Sequence, residues 1–174
     1  MNNFIPDIYA KNIFNIDYKK LKKDGIKCIL FDLDNTIAPI SEKEPSKDIK
    51  ELFAFIDDLN IKIIILSNSK KHRVEPFKEI LNVDSAYMSM KPLKHKFKKI
   101  LKMFNFDFSE VALVGDQVLT DVLGSNRCGI TSILVDPLTD EDKVLTKLNR
   151  KVEKIVLNKL KKKGIYEKGK YYHN

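Results

Sequence analysis

The strongest constraint on the fold is the run Cys-Ile-Leu-Phe-Asp-Leu-Asp-Asn-Thr at residues 28–36. Its apolar start has the length and branching of a buried β-strand. It ends in Asp32 and Asp34, which point to the same face of an extended strand because they are two residues apart. Two close carboxylates repel each other unless a cation lies between them or one holds a proton. The run therefore predicts a site for a hard metal ion such as Mg²⁺ or an acid–base pair, the alternative being a strand followed by a simple turn.

Strands and helices are predicted to alternate along the chain. Extended segments are expected at residues 27–33, 62–66, 86–89, 111–114 and 131–135, of which the third is the weakest. Helical spacing of apolar residues fills the intervals, with Ser46 as the N-cap of one helix and Gly129 near the end of another. This alternation predicts an α/β fold with three layers, Rossmann-like, in which a central parallel sheet carries helices on both faces.

Polar residues follow the predicted strands at their carboxyl ends, where sheets of this kind bind ligands. They are Asp32, Asp34, Ser67, Asn68, Lys91, Asp116 and Asp121. Carboxylates, a hydroxyl and a lysine at one sheet edge indicate a site for a cation and a phosphate group. Taken singly, Ser67 and Asn68 also fit a helix cap, and Lys91 fits an ordinary surface lysine.

These residue types can support phosphoryl transfer. Asp32 can attack phosphorus and form an aspartyl-phosphate, while Asp34 can protonate the leaving alkoxide and then activate water. Asp116 can hold Mg²⁺ together with Asp32. Ser67 can hold phosphate oxygens, and Lys91 can supply a fixed positive charge.

The motif order Asp32-x-Asp34-x-Thr36, Ser67-Asn68, Lys91-Pro92 and Gly115-Asp116 through Asp121 resembles the haloacid dehalogenase superfamily of phosphatases. The resemblance covers about residues 27–136. It implies that Asp32 is the nucleophile, that Asp34 is the acid and base, and that Lys91 stabilises the intermediate. These three residues are the expected catalytic set.

The same resemblance implies the binding residues. The substrate's phosphate is expected to contact Thr36, Ser67 and Asn68. Mg²⁺ is the expected cofactor, with ligands from Asp32, Asp116 and the main-chain carbonyl of Asp34, and with assistance from Asp121.

A closer resemblance extends over nearly the whole chain, to the YqeG-like phosphatases of subfamily IIIA, which are related to phosphatidylglycerophosphate phosphatases. It rests on Pro6-Asp7-x-Tyr9, on the stretch from Gly115 to Arg127, and on Ile133-Leu134-Val135-x-Pro137-Leu138. Two residues depart from the pattern of that family: Ser69 replaces an Asn, and Met90 replaces a small residue before Lys91. Both changes leave the substrate less defined.

The spacing of the motifs leaves no room for a cap domain over the site. Residues 1–174 are expected to form one domain with a core at about 24–138. An amphipathic lead-in at 1–23 would either pack on the core or lie on a membrane. Residues 139–174 are expected to contain a long helix at 140–163 and a loose tail after Gly164. The helix has one broad apolar face that includes Leu148, Val152, Ile155 and Leu160.

The net charge of +8 favours an anionic partner, although a solvated lysine-rich surface would give the same value. The expected partner is a phosphorylated substrate, in particular a phospholipid headgroup, with an anionic membrane surface as a further partner; nucleic acid is disfavoured. Two isolated cysteines and the lack of a secretory pattern indicate the cytoplasm, with peripheral location on the inner membrane face as an option. The rival functions are a phosphatase of small soluble metabolites and a non-catalytic protein that binds RNA or the ribosome.

Overall fold

A seven-stranded sheet forms the centre of the protein, for which a computed structural model describes residues 2–141 and 144–173. The strands are β1 (Ile8–Ala10), β2 (Cys28–Phe31), β3 (Lys62–Leu66), β4 (Asp84–Ala86), β5 (Val111–Gly115), β6 (Thr131–Val135) and β7 (Tyr172–His173). Their order across the sheet is β4-β3-β2-β5-β6-β1-β7. Every neighbouring pair is parallel except β1 and β7, which are antiparallel. The predicted parallel α/β architecture is confirmed.

Helices cover both faces of this sheet. They are α1 (Tyr18–Lys23), α2 (Lys47–Asp58), α3 (Lys71–Leu81), α4 (Lys94–Phe104), α5 (Leu123–Cys128) and α6 (Val144–Lys162). Alternate residues of β2 separate the layers, because Ile29 and Phe31 pack with α1, α2 and α3 whereas Leu30 packs with α4. Helix α2 begins as predicted, with the Ile49 amide donating to Ser46 Oγ over 3.3 Å. The result is the expected three-layer arrangement.

Two local predictions need correction. The third strand ends at Ala86 and not at Ser89, because Met88 (φ 47°) and Met90 (φ 54°) adopt left-handed backbone conformations that cannot continue a strand. The helix after β5 is divided into a π-helical turn, Val118–Val122, and α5. It ends at Gly129, as predicted, where a φ of 75° suits glycine.

The N-terminal lead-in packs on the sheet. Its residues 8–10 form β1, which pairs in parallel with β6. Its helical parts are α1 and the short 3₁₀ turns Asn2–Phe4 and Ile13–Asn15. Ile8, Ile13 and Leu21 are buried in the core. Sequence periodicity missed β1 because a strand of three buried residues has no alternation to detect.

The C-terminal tail is ordered, so the prediction of a loose tail was wrong. Strand β7 pairs with β1, and the buried ring of Tyr166 lies 5.1 Å from that of Tyr9. Tyr171 donates its hydroxyl to Asp136 Oδ2 over 2.5 Å. A tyrosine can pack its ring against the protein while its hydroxyl group forms a hydrogen bond. Contacts of this kind explain why this basic segment folds back onto the sheet.

Helix α6 does not present one broad apolar face to the protein. Val156, Leu157 and Leu160 pack against the core, whereas Leu148, Val152 and Ile155 are exposed. The predicted start of the helix at residues 140–143 falls partly outside the described residues, and so do the side chains of Val144 and Leu145. Within the described chain, no helix is both long and apolar enough to cross a membrane.

The sheet edge formed by the carboxyl ends of β2, β3 and β5 is open. A loop and α2 connect β2 to β3, and only α3 separates β3 from β4. Neither connection contains a separate cap, as the motif spacing predicted.

Substitution of Tyr166 by Ala tests whether the tail belongs to the fold. Removal of a buried ring from an aromatic cluster should lower the free energy of unfolding by about 3 kcal/mol. The neighbouring exposed Ile165→Ala is the control and should change it by less than about 0.5 kcal/mol. Urea unfolding measures both, and equal small effects would show that the tail does not pack.

Candidate active site

Three buried carboxylates meet beyond the ends of the adjacent strands β2 and β5. Oxygen atoms of Asp32, Asp116 and Asp121 lie within 4.8 Å of one another. Asp32 follows β2 directly and its amide donates to the Val114 carbonyl over 2.9 Å, which fixes it against β5. The π-helical turn brings Asp121 back over Gly115, where any Cβ would overlap the Asp121 carboxylate. Gly115 is therefore required for this cluster to form.

Lys91 lies between two of these carboxylates. Its Nζ is 2.6 Å from Asp32 Oδ1 and 2.7 Å from Asp121 Oδ1, and its side chain is 2% exposed. Burial disfavours the charged amine, but Asp121 and Asp32 outweigh this and raise the pKa of Lys91. Lys91 thus stays protonated at the centre of the site.

Asn68 fixes the loop that carries Lys91. Its Oδ1 accepts from the Lys91 amide over 2.8 Å and from Ser89 Oγ over 2.9 Å. Its Nδ2 donates back to the Lys91 carbonyl over 3.3 Å. Asn68 therefore links the end of β3 to the loop after β4.

The charge balance of the site suits a divalent cation. Burial raises the pKa of Asp32 to about 6 and that of Asp116 to about 8, with the neighbouring carboxylates adding to the effect. Lys91 and Arg150 only partly compensate for the three carboxylates. Carboxylate oxygens are the ligands that hard divalent ions prefer, so these residues fit such an ion.

Asp34, just beyond the end of β2, accepts hydrogen bonds from side chains of the segment that follows β3. Ser69 Oγ donates to Asp34 Oδ2 over 2.5 Å and Arg73 Nε donates to Asp34 Oδ1 over 2.8 Å. Arg73 also donates to the carbonyls of Glu42 and Pro39. One guanidinium thus ties the loop after β2 to α3 and to Asp34.

A cavity of about 910 Å³ opens in front of these residues. Among the residues that line it are five of the predicted site residues: Asp32, Asp34, Ser67, Asn68 and Lys91. Asp116 and Asp121 lie behind them, in contact with Arg150 and Lys91 respectively. Thr36 is buried, and its hydroxyl donates to Asp116 Oδ1, a carboxylate oxygen of the cluster, over 3.3 Å. The structure therefore gathers all the predicted residues at one edge.

Helix α6 contributes two residues that the sequence did not identify. Arg150 forms an ion pair with Asp116 Oδ2 and donates to the Asp116 carbonyl over 2.8 Å. Glu153 accepts from the Val118 amide over 2.7 Å and lies 3.1 Å from Arg150 Nη1. Together they attach α6 to the acidic cluster.

Solved phosphatases share this fold. The cobalt-bound deoxy-D-mannose-octulosonate 8-phosphate phosphatase from Haemophilus influenzae has a TM-score of 0.54 and 12% identity, covering 84% of this chain and 95% of that one. D,D-heptose 1,7-bisphosphate phosphatase from B. bronchiseptica, complexed with magnesium and phosphate, has a TM-score of 0.52 and 17% identity, covering 63% and 80%. At these identities the likeness shows a shared fold, and the motifs of the predicted site lie at the carboxyl ends of its strands.

The family is shown by sequence. Residues 1–139 match the model of the mitochondrial PGP phosphatase family, and the chain belongs to that family. It is 38% identical to "Probable phosphatase YqeG" of Bacillus subtilis over 92% of this chain and 94% of that protein. It is 29% identical to phosphatidylglycerophosphate phosphatase 1, chloroplastic/mitochondrial, of Arabidopsis thaliana, over 92% of this chain and 49% of the plant protein. The predicted resemblance is confirmed.

The metal-free protein should lose stability as the pH rises. Asp32 and Asp116 titrate at about 6 and about 8 in the folded state, but at roughly 4 when unfolded. The folded state therefore binds more protons across this range, so the stabilising contribution of both groups is present at low pH and is lost on passing about 6 and about 8. Urea unfolding in the presence of a chelator, at pH values from about 5 to about 9, measures the decline.

Asp116→Asn provides the control for this pH profile. This variant lacks the group that titrates at about 8, so its free energy of unfolding should decline less above about pH 6. The slopes of the variant and the unsubstituted protein should then differ by up to about 1.4 kcal/mol per pH unit. Added Mg²⁺ should remove most of the decline in the unsubstituted protein, since it stabilises the ionised carboxylates. Parallel profiles for the two proteins would contradict the assignment.

Substitution of Arg150 by Met tests the contact between α6 and the acidic cluster. The loss of its guanidinium leaves Asp116 buried with one cation fewer, which should cost about 2 kcal/mol or more. Added Mg²⁺ should raise the melting temperature of Arg150→Met more than that of the unsubstituted protein, because the ion replaces the missing charge. The exposed Lys154→Met on the same helix should change neither quantity, and an equal Mg²⁺ response in all three proteins would refute the role of Arg150.

Proposed function

We propose that this protein is a Mg²⁺-dependent phosphomonoesterase that dephosphorylates phosphatidylglycerophosphate to phosphatidylglycerol through an aspartyl-phosphate. The observation that carries this proposal is the pairing of Asp32 with Lys91 at an open sheet edge, with Asp34 on the same cavity wall. The name of the plant relative supports the lipid substrate.

Asp32 is the proposed nucleophile. Lys91 occupies Asp32 Oδ1, which leaves Oδ2 to attack phosphorus. A bond forms between Oδ2 and phosphorus while the bond from phosphorus to the alcohol oxygen breaks. Asp34, protonated at this stage, gives its proton to the departing alkoxide, and Lys91 balances the negative charge near the transferring group.

The second step releases phosphate and restores both carboxyl groups. Asp34, now a carboxylate, removes a proton from water, and the resulting oxygen attacks the phosphorus of the aspartyl-phosphate. The bond between phosphorus and Asp32 breaks. Inorganic phosphate leaves, Asp32 is again a carboxylate and Asp34 again holds a proton, so the cycle is balanced.

Asp32 and Asp116 would hold Mg²⁺, with the main-chain carbonyl of Asp34 as a further ligand and Asp121 assisting. The bound ion would neutralise the phosphoryl oxygens. Thr36, which contacts Asp116, would orient that carboxylate beside the phosphate.

Ser67 and Asn68 are proposed to hold the phosphate. Both line the cavity at the end of β3, and Asn68 also fixes the position of Lys91. Ser69 and Arg73 are proposed to position Asp34 through both steps, since they donate to its two oxygens. Ser69, a departure from the family pattern, thereby acquires a structural role beside the acid and base.

An uncapped site suits a substrate whose bulk remains outside the cavity. A lipid headgroup can enter edge-on while its acyl chains stay in a bilayer, which would place the protein at the cytoplasmic face of the inner membrane. Residues 1–174 would act as one phosphatase domain, because strands from both ends complete the sheet. A soluble phosphate ester is the alternative substrate that the same chemistry allows.

Phosphate release with Mg²⁺ tests the proposal on two kinds of substrate: phosphatidylglycerophosphate in mixed micelles and a panel of soluble phosphate esters. The lipid should be the better substrate. Asp32→Asn should reduce turnover by about 10³-fold or more, because the amide keeps the size of the side chain but cannot act as the nucleophile. The exposed Asp58→Asn on α2 is the matched control and should retain full turnover.

The outcomes separate mechanism from substrate. Turnover confined to soluble esters and lost in Asp32→Asn would retain the mechanism and exclude the lipid. Full turnover by Asp32→Asn would exclude the aspartyl-phosphate. No turnover of either substrate by the folded, Mg²⁺-loaded protein, combined with salt-sensitive binding of RNA, would favour a binding protein instead.

A further inference from the structure

Helix α6 carries a second apolar surface on the side that faces away from the protein. Leu148, Val152 and Ile155 are 60%, 46% and 58% exposed. Their spacing of four and three residues places them in one stripe along the helix. Glu153 and Leu160, which are buried, lie more than roughly 100° around the helix from the middle of this stripe. We call the three exposed residues the outer stripe.

Lysines accompany the outer stripe along the helix. Lys147, Lys151 and Lys154 are exposed, and each precedes one residue of the outer stripe by one position, which is about 100° around the helix. Lys159 and Lys162 are also exposed and extend the line of the outer stripe to the end of the helix. The only acidic residue of α6 is Glu153, which is buried. The outer face therefore combines apolar and cationic groups and carries no negative charge.

The same helix forms part of the catalytic cavity. Thr146 and Asn149, on the turn that includes Leu148, line the cavity together with Asp32 and Lys91. Met90, which directly precedes Lys91, is 51% exposed. A surface that engages the outer stripe would therefore lie next to the opening through which a substrate enters.

We propose that the outer face of α6 docks on an anionic lipid bilayer, with the outer stripe inserted among the lipids and the lysines at the headgroups. Amphipathic helices with lysines beside an apolar stripe bind anionic interfaces in this way. Docking places the cavity opening beside the headgroups, and this inference rests on the proposed lipid substrate. A second copy of the chain is a poorer occupant, because two such faces would bring lysines of like charge together.

Co-sedimentation with vesicles of phosphatidylcholine, with and without phosphatidylglycerol, tests the docking surface on the full chain. The unsubstituted protein should bind only the anionic vesicles, and high salt should weaken the binding. The triple variant Leu148→Ser/Val152→Ser/Ile155→Ser should bind at least roughly tenfold more weakly. Phe55→Ser/Ile80→Ser, which removes exposed apolar side chains from α2 and α3, is the matched control and should bind normally.

The lysines are tested separately from the outer stripe. Lys147→Gln/Lys151→Gln should weaken binding to anionic vesicles by roughly fivefold for each lysine removed. Lys47→Gln/Lys50→Gln on α2 removes the same charge elsewhere and should bind like the unsubstituted protein. Equal losses in the two lysine variants would show that net charge alone drives binding and would overturn the α6 assignment.

Activity on a soluble phosphate ester distinguishes failure of docking from failure of the proposed function. The triple variant should keep that activity while its turnover of vesicle-borne lipid falls in proportion to binding. Loss of both activities, or vesicle binding equal to that of the unsubstituted protein, would refute docking by α6. An unsubstituted dimer that the triple variant converts to a monomer in sedimentation experiments would also refute it, in favour of self-association. The lipid proposal itself fails only if the unsubstituted protein does not hydrolyse the lipid in micelles, where no docking is needed.

Discussion

The contact of Lys91 with Asp32 and Asp121 is the interaction on which the site depends. A buried ion pair of this kind gives little net stability, because removing the charges from water offsets their attraction. Asp116 adds a further buried carboxylate whose pKa of about 8 reflects that cost. A fold that keeps three carboxylates within 4.8 Å of one another therefore gives up stability in the metal-free state. Such an arrangement is typical of a site that regains the free energy when a ligand binds.

The elements around the sheet are arranged to hold this cluster. Asn68 positions Lys91 from the end of β3, and Gly115 leaves space for Asp121 at the end of β5. Arg150 reaches Asp116 from α6, and Leu160 of that helix shares a hydrophobic cluster with Tyr166 and Tyr172 of the tail. The cluster is thus supported by segments that are distant in sequence. Its geometry depends on the complete fold more than on any single motif.

The site was largely predictable from sequence because its main residues follow strands, and parallel strands align their carboxyl ends. The apolar run before Asp32 and the dipeptide Gly115-Asp116 have recognisable local patterns. Arg73 and Arg150 have none, since they are two of 32 basic residues and reach the site through long side chains. Strand β1 and the folded tail were missed for a similar reason. Both segments are held in place by pairing with strands that are distant in sequence, and such short segments show no periodicity of apolar residues.

The net charge of +8 is not located in the active site. The site is rich in buried acidic groups, and Lys91, Arg73 and Arg150 are each paired with a carboxylate there. The excess of positive charge lies at the surface, including the outer face of α6. An anion that approaches the protein is therefore attracted at the surface but, without a metal ion, is repelled by the buried carboxylates. Helix α6 contributes to both the buried site and the positive surface. On its inner side Arg150 neutralises part of the charge of Asp116, and its outer side carries the lysines. Under the proposed function, such a protein would concentrate anions near its opening and bind them productively only with the metal present.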